Sequence, residues 1–423
     1  MQANRLLIQG GKIISNGEML MSDILIEGKM IVRIAPQISV KEDMVVLDAK
    51  EKLVTYGLAD VHVHFREPGF SYKETIETGS RAAAHGGYTV VCAMPNLNPA
   101  PDSLLHLDIE EELIDDGAII DVRPYATITM ERKGRVLTDI ETLKPYVVGF
   151  SDDGSGVQDD TVMEEAMRRV AAAGGIIAAH CEDNSLLRGG YIHDGAYARE
   201  HGHRGICSES EWRQIARDIE IAERTGCHYH VCHISTKESV DLIRRAKHRG
   251  VNITCETGPH YLVLTDSDLQ EDGRFKMNPP LRSEEDREAL IKGIQDGTID
   301  CIATDHAPHT FEEKSKGLEK SAMGIVGLET AFAVVYTCLV KRNIITLERQ
   351  IDLMCNNPRR IFGLGGKLEE GESADLAIFE LTHPYVVDSR GFLSKGHSTP
   401  FDGWKVAGKC CQTIYHGRIV WQE

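Results

Sequence analysis

The middle of the chain alternates regularly between short apolar runs and helical stretches, and few folds are compatible with this pattern. Eight apolar runs occur, at residues 57–64, 88–94, 120–128, 147–151, 175–181, 228–233, 251–256 and 299–304. Glycine, the favoured residue just past a helix C-terminus, ends five of the intervening stretches, at Gly87, Gly174, Gly226, Gly250 and Gly297. Strands alternating with helices form parallel sheets. Eight such units predict an α/β fold of the TIM-type (β/α)8 barrel kind, with its chemistry at the C-terminal ends of the strands.

Both ends of the chain show a different pattern, of short strands separated by glycine turns. Strand-like runs occur near the start at residues 6–8, 12–14, 23–26 and 30–34, and near the end at 375–379, 404–408 and 413–421. We therefore expect the termini to meet in one small β-sandwich domain made of residues 1–53 and 366–423. The barrel domain would take residues 54–365.

Composition excludes some classes of function. The 423 residues, 42% of them hydrophobic, are ample for a barrel-sized core. Lys and Arg number 47 against 65 Asp and Glu, and the net charge of −18 argues against nucleic acid and anionic membranes as partners. We expect no signal peptide and no membrane span, because no apolar run is long enough. Eleven cysteines without CxxC pairs are typical of reduced thiols, so we predict a cytoplasmic location.

Histidine and aspartate residues cluster at the ends of five of the eight runs. They are His62 and His64, Asp152 and Asp153, His180, His230 and His233, and Asp305, His306 and His309. Core histidines would not favour one end of the strands, so this placement predicts a metal centre at one rim. His62 and His64 lie two apart on one side of a strand, where Asp60 is placed to orient one of them. His228 and His230 share one face and His233 lies on the other, and the sequence does not choose between them.

These ligands are too many for a single four-coordinate zinc and suit two metals that share a bridging ligand. Two metals favour hydrolysis, because a hydroxide held between them exists at neutral pH and can attack a carbonyl that a metal polarises. A carboxylate beside the bridge can take the proton and return it to a leaving nitrogen. Asp305, on the last strand, is the candidate for this general base and acid.

Several longer motifs extend this pattern over nearly the whole chain. They are Asp60–His64 followed by Arg66-Glu-Pro-Gly, Met94-Pro-Asn96, Asp152-Asp-Gly154, Ala179-His-Cys-Glu182, His230-Val-Cys-His233, Lys276-Met-Asn-Pro-Pro-Leu-Arg282 and Thr304-Asp-His-Ala-Pro-His309. Together they resemble the dihydroorotase family of the amidohydrolase superfamily, in its long, type I bacterial form. DxHxH alone would identify only the superfamily.

The resemblance implies a ligand set for two zinc ions. It places His62 and His64 on one zinc, completed by Asp305, and His180 and His233 on the other. Many relatives bridge the metals with a carboxylated lysine, but the fourth run here reads Phe150-Ser-Asp-Asp-Gly. The resemblance is to the subgroup in which Asp153 would bridge instead, with Asp152 as the alternative.

The resemblance also implies a substrate and the residues that hold it. The reaction would be the reversible cyclisation of N-carbamoyl-L-aspartate to L-dihydroorotate in pyrimidine synthesis. Arg66, Asn96 and Asn278 would hold the substrate, with His309 at its carboxylate, which a guanidinium binds bidentately. Residues 324–327 resemble a segment whose backbone contacts the substrate ring. The charged stretch at residues 311–324 is either a mobile loop beside the site or an ordinary solvated loop.

Two other functions stay open. A hydantoinase, dihydropyrimidinase or allantoinase could use the same fold, although Arg66 and the Asp-Asp-Gly at 152–154 argue against these enzymes. A non-catalytic scaffold is the second alternative, and the complete ligand set argues against it. From the family we also expect a homodimer and an association with aspartate transcarbamoylase.

Overall fold

A computed structural model describes residues 5–15 and 17–423 as a mixed α/β protein. Its strands are β1 Arg5–Ser15, β2 Glu18–Glu27, β3 Met30–Ala35, β4 Met44–Asp48, β5 Leu53–Tyr56, β6 Leu58–Val63, β7 Tyr88–Ala93, β8 Asp121–Pro124, β9 Ile176–Ala179, β10 Ile192–His193, β11 Gly205–Ile206, β12 His228–Val231, β13 Ile253–Thr257, β14 Cys301–Ile302, β15 Leu376–Glu380, β16 Tyr385–Val386, β17 Lys405–Val406, β18 Lys409–Tyr415 and β19 Arg418–Gln422.

The α-helices lie mostly between the strands of the middle region. They are α1 Ile76–His85, α2 Leu104–Gly117, α3 Ile140–Leu143, α4 Asp160–Ala172, α5 Ala196–His201, α6 Glu209–Thr225, α7 Lys237–His248, α8 Pro259–Val263, α9 Glu284–Asp296, α10 Phe311–Lys314, α11 Gly317–Lys320, α12 Ala331–Val335, α13 Leu347–Ile351 and α14 Asn357–Phe362.

Strands from both ends of the chain meet in one sheet. Its order is β19-β18-β15-β5-β1-β2-β3, with β4 paired in parallel to β1. β15, from the C-terminal part, pairs antiparallel with β5, which places Leu376 opposite Tyr56. Consecutive residues are buried in both strands, 6–8 in β1 and 22–26 in β2, so both faces of the sheet are covered along these stretches. β5 leads directly into β6, so this sheet joins the first parallel strand.

Seven of the eight predicted runs form strands of parallel ladders. One ladder is β6-β7-β8 and the other is β14-β13-β12-β9. The side chains of β6, β7 and β9 are all buried, as expected of strands covered on both faces, whereas β8 exposes Arg123. The successive parallel strands and their intervening helices form a mixed α/β fold.

The fourth run, residues 147–151, is held by individual hydrogen bonds rather than by a ladder of its own. Phe150 N donates to Ile176 O (2.9 Å), and Ser151 N donates to Ala126 O (2.9 Å). His64 N donates to His306 O (2.8 Å), which connects the first run to the last. The run leaves strand geometry at Ser151, where the chain turns to present its two aspartates.

The helices cover the strands with apolar faces. α6 buries Ile215, Ile219 and Ala222, which recur at helical spacing, and it ends at Gly226 with φ 71°. Only glycine adopts this conformation without steric cost. The other predicted stop glycines also have positive φ, at Gly87, Gly174, Gly250 and Gly297. Among the described residues, no helix combines the length and the apolar character that crossing a bilayer requires.

Candidate metal centre

His62 and His64 lie where the sequence places them, at the end of β6. Both imidazoles are buried, and their ring centroids are 5.3 Å apart. Asp60 orients neither ring, so that prediction is wrong. Its carboxylate accepts hydrogen bonds from His62 N (3.0 Å) and Thr304 N (3.1 Å) and so ties the first run to the last. Residues two apart in a regular strand face the same side, but Asp60 and His62 do not follow this rule, because the pairing of β6 with β7 shifts register after Asp60.

Asp153 lies between two groups of histidines. His62, His64 and Asp153 form one set whose ligand atoms lie within 4.8 Å of one another, and Asp153, His180 and His233 form another. Asp153 Oδ1 is 3.5 Å from His62 Nε2 and 3.8 Å from His233 Nε2. Its other oxygen, Oδ2, is 3.6 Å from His64 Nε2. One carboxylate therefore contacts both sets, which is the arrangement that a bridging ligand needs.

Asp152, the alternative bridging residue, faces away from the histidines. Its Oδ1 accepts hydrogen bonds from Ile128 N (2.8 Å) and Thr129 N (3.1 Å), and its Oδ2 accepts one from the Thr129 hydroxyl. Both oxygens are used in holding the loop after β8. The geometry therefore favours Asp153 over Asp152.

Several buried polar atoms of the centre have no hydrogen-bond partner. Among the described residues these include His62 Nε2 and Asp153 Oδ1. Leaving such atoms buried and unpaired costs about 1–3 kcal/mol each. An imidazole nitrogen and a carboxylate oxygen are also ligands that divalent metals accept. The donor set thus fits metal ions, and binding would satisfy atoms that the protein alone leaves unpaired.

Asp305 joins the same cluster from the end of the eighth run. Its Oδ1 is 3.0 Å from His64 Nε2 and 3.5 Å from His62 Nε2. Asp305, His233 and Arg66 all have positive φ, at 47°, 32° and 63°. Non-glycine residues in this region cost about 1–3 kcal/mol each, and such strain is concentrated at functional sites.

The two shared carboxylates are kept ionised. Burial would raise the pKa of Asp153, but the nearby imidazole of His233 and the charges of the other histidines hold it well below its usual value. Burial would also raise the pKa of Asp305, but a hydrogen bond from His64 lowers it below its usual value. Burial and the charge of Arg66 lower the pKa of His64 to about 4. The lowered pKa values of Asp153, Asp305 and His64 suit metal ligands. His62 and His180 differ, because the carboxylates of Glu256 and Glu182 outweigh burial and raise their pKa values to about 10 and about 9, so both would lose a proton on binding a metal.

Glu256 on β13 orients His62, and sequence reasoning missed it. His62 Nδ1 donates to Glu256 Oε1 (2.8 Å), which leaves Nε2 facing Asp153. His230 Nε2 donates to the other oxygen of Glu256 (3.1 Å), so His230 supports Glu256, whereas His233 is the histidine beside Asp153. His62, Cys232 and Glu256 also form a third set of atoms within 4.8 Å.

Arg66 and Asn96 lie next to the metal-centre carboxylates. Asn96 Nδ2 donates to Asp153 O (2.9 Å) and Asp153 Oδ2 (3.1 Å), while its Oδ1 is buried without a partner. Arg66 is half-buried and donates through Nε to Pro308 O (3.4 Å). Its charge lowers the pKa of His64 and His309. Asn96 therefore contacts Asp153 directly, and Arg66 is close enough to the centre for its charge to act on His64.

Asn278 lies beside His180, whereas His309 lies close to Arg66. Asn278 Nδ2 donates to Glu182 Oε1 (3.0 Å) and is 3.5 Å from His180 Nε2. His309 Nε2 donates to Met323 O (2.8 Å), and Lys73 Nζ donates to His309 Nδ1 (3.2 Å). The four predicted substrate residues thus come from four different loops, and two of them, Asn96 and Asn278, contact metal-centre residues directly.

Comparison with known proteins identifies the family. A model described as "Dihydro-orotase-like" matches residues 51–239. A dihydroorotase of Bacillus cytotoxicus is 49% identical over 423 residues, which is 99% of each chain. A dihydroorotase of Staphylococcus aureus is 49% identical over 419 residues, covering 98% of this chain and 99% of that one.

Solved structures show how similar the fold is to that of other cyclic amidases. An L-hydantoinase (dihydropyrimidinase) from Arthrobacter aurescens matches with a TM-score of 0.88 at 27% identity, over 99% of this chain and 96% of that chain. A D-hydantoinase (dihydropyrimidinase) from Thermus sp. matches with a TM-score of 0.85 at 25% identity, over 99% and 95%. These structures share the fold, whereas the much higher full-length identity to the curated enzymes decides the family. The chain belongs to the dihydroorotase family.

Proposed function

We propose that this protein is a metal-dependent cyclic amide hydrolase that interconverts N-carbamoyl-L-aspartate and L-dihydroorotate in pyrimidine synthesis. The observation that carries the proposal is Asp153, shared by two histidine sets, in a chain 49% identical to dihydroorotases over its full length. A site with this geometry can bind a water molecule and a carbonyl side by side, which ring opening and its reversal both need.

The metals of this proposal are two zinc ions. His62, His64 and Asp305 would hold one, His180 and His233 would hold the other, and Asp153 would contact both. When bound, such ions supply a water of lowered pKa and polarise the carbonyl under attack. Glu256 keeps the proton of His62 on Nδ1, so that Nε2 is available as a ligand.

Asp305 is the proposed general base and acid. In ring opening its carboxylate accepts a proton from the attacking water and then returns that proton to the leaving ring nitrogen. Ring closure runs the same transfers in reverse. Asp305 Oδ1 is 3.0 Å from His64 Nε2, and this contact keeps the carboxylate at the edge of the metal centre.

Arg66 is the proposed anchor for the substrate carboxylate. Within the part of the chain that the structure describes, its guanidinium forms no ion pair, and its contact is Nε to Pro308 O. A guanidinium that is partly buried without a carboxylate has donors available for one. His309 would assist at the same carboxylate, and the amides of Asn96 and Asn278 would hold the ring.

A hydantoinase-type activity is the second candidate, because structures of that class match the fold. The fourth run has Ser151, Asp152 and Asp153 where such relatives typically place a carboxylated lysine. Turnover of L-dihydroorotate by the purified protein, compared with hydantoin, dihydrouracil and allantoin, separates the candidates. Faster turnover of any of these three than of dihydroorotate would overturn the assignment, and a metal-poor, inert protein would favour the scaffold.

The architecture and assembly extend the proposal. We propose that the two parallel ladders and the fourth run close into a TIM-type (β/α)8 barrel over residues 54–365. Residues 1–53 and 366–423 would form the small β-sandwich domain. The hydrogen bonds of Phe150 and His64 to neighbouring runs support closure. The homodimer, the association with aspartate transcarbamoylase and the cytoplasmic location stay predictions.

A further inference from the structure

The loop after the eighth run contains a buried lysine with no carboxylate beside it. Lys314, the last residue of α10, is 6% exposed, whereas Lys316 and Lys320 in the same loop are exposed. In residues 5–15 and 17–423, Lys314 takes part in no ion pair. Burying an ammonium group is costly unless its hydrogen bonds are satisfied, so its position needs a reason.

Three backbone carbonyls converge on the Lys314 amine. Its Nζ donates to Lys276 O (3.0 Å), Ala322 O (2.8 Å) and Gly324 O (2.7 Å). A lysine ammonium has three donors, and all three are used here. The carbonyls come from two separate parts of the chain, so the side chain connects them.

Those two parts carry proposed substrate contacts. Lys276 lies two residues before Asn278, and Gly324 begins the segment 324–327. Gly324 N donates to Lys276 O (3.1 Å), so the same carbonyl receives a second bond from the loop. His309 Nε2 donates to Met323 O, which lies between the two loop carbonyls that Lys314 holds. The amine is thus a common attachment point for the residues on this side of the site.

We propose that Lys314 is a positioning residue for the substrate. Its three hydrogen bonds fix the spacing between Asn278, His309 and the backbone of residues 324–327. An apolar side chain there would leave three carbonyls without this donor and would let the two chain segments separate. Substrate binding would then suffer more than the chemical step, because Lys314 donates only to three backbone carbonyls and not to Asp305 or to the proposed metal ligands His62, His64, His180 and His233. The inference rests on the proposed function.

The test compares Lys314→Met with Lys320→Met. Both variants lose one positive charge from the same loop, but Lys320 is exposed. Steady-state kinetics with L-dihydroorotate, metal content and the thermal midpoint are measured for both and for the wild type. We expect Lys314→Met to raise KM about tenfold or more, with kcat within about threefold and metal content unchanged. Lys320→Met should match the wild type.

Other outcomes would count against the inference. An unchanged KM in folded, metal-loaded Lys314→Met overturns it, and so does a loss of kcat at constant KM that follows only the loss of folded protein. If Lys314→Met does not fold, Lys314→Gln, which keeps a polar donor, takes its place under the same criteria. A wild type without turnover of dihydroorotate would overturn the proposed function, and this inference with it.

Discussion

Replacing Glu256 by glutamine should weaken metal binding at His62. The carboxylate accepts the Nδ1 proton of His62 (2.8 Å) and the Nε2 proton of His230 (3.1 Å), and all three side chains are buried. Glutamine keeps the shape but removes the charge. A hydrogen bond to a charged group contributes about 1.5–3 kcal/mol, and about 1.4 kcal/mol corresponds to a factor of ten. We therefore expect metal affinity to fall about 10–100-fold, the range typical of lost carboxylate–histidine support.

The assay is a zinc titration of chelator-stripped protein, followed by activity and by bound metal. Glu256→Gln should need about 10–100 times more free zinc for half-maximal activity and should approach wild-type kcat at saturation. Glu329→Gln is the matched control, because Glu329 also accepts a hydrogen bond from a histidine, His85, but contacts none of the metal-centre residues. A half-saturating zinc concentration equal to that of the wild type would refute the role given to Glu256.

Three further substitutions test separate parts of the site. Asp305→Ala should leave the fold intact and lower kcat about 10²–10⁴-fold, because the proton acceptor is lost. Near-normal turnover of this variant would contradict the role of Asp305 as general base and acid. Arg66→Ala should mainly raise KM for dihydroorotate, since it removes carboxylate binding, and a pure kcat effect would argue against that role. Asp152→Asn should cost about 1–3 kcal/mol in denaturant unfolding, because its carboxylate accepts three hydrogen bonds. Metal content should stay unchanged, and its loss would point to Asp152 as a ligand.

The position of the rim residues could be predicted because parallel strands share one C-terminal edge. His62, His180 and His233 come from different runs, yet the strand–helix alternation alone places them at that edge. The choice between Asp152 and Asp153 could not be made this way. The fourth run leaves strand geometry at Ser151, so the alternation of side chains no longer says which carboxylate faces the histidines.

Glu256 was missed although it is the last residue of the seventh run, because only histidine and aspartate were taken as candidates at the ends of the runs. A signal was present, since Thr254 and Glu256 are two residues apart and therefore face the same side of β13. Both bond to His230, through Thr254 Oγ1 (2.8 Å) and Glu256 Oε2 (3.1 Å). Two polar groups on one side of a buried strand would have indicated a polar network. Which residue of another strand joins such a network depends on how the two strands pair, and spacing in the sequence does not give that register.

The proposed function requires above all that Asp153 serves two metal ions in an enzyme that hydrolyses dihydroorotate. The most direct test is elemental analysis of the purified protein on the sample used to measure that hydrolysis. We predict two zinc ions per chain together with turnover. Turnover with one zinc per chain would keep the function and contradict the shared role of Asp153, and metal-loaded protein without turnover would contradict the assignment of substrate.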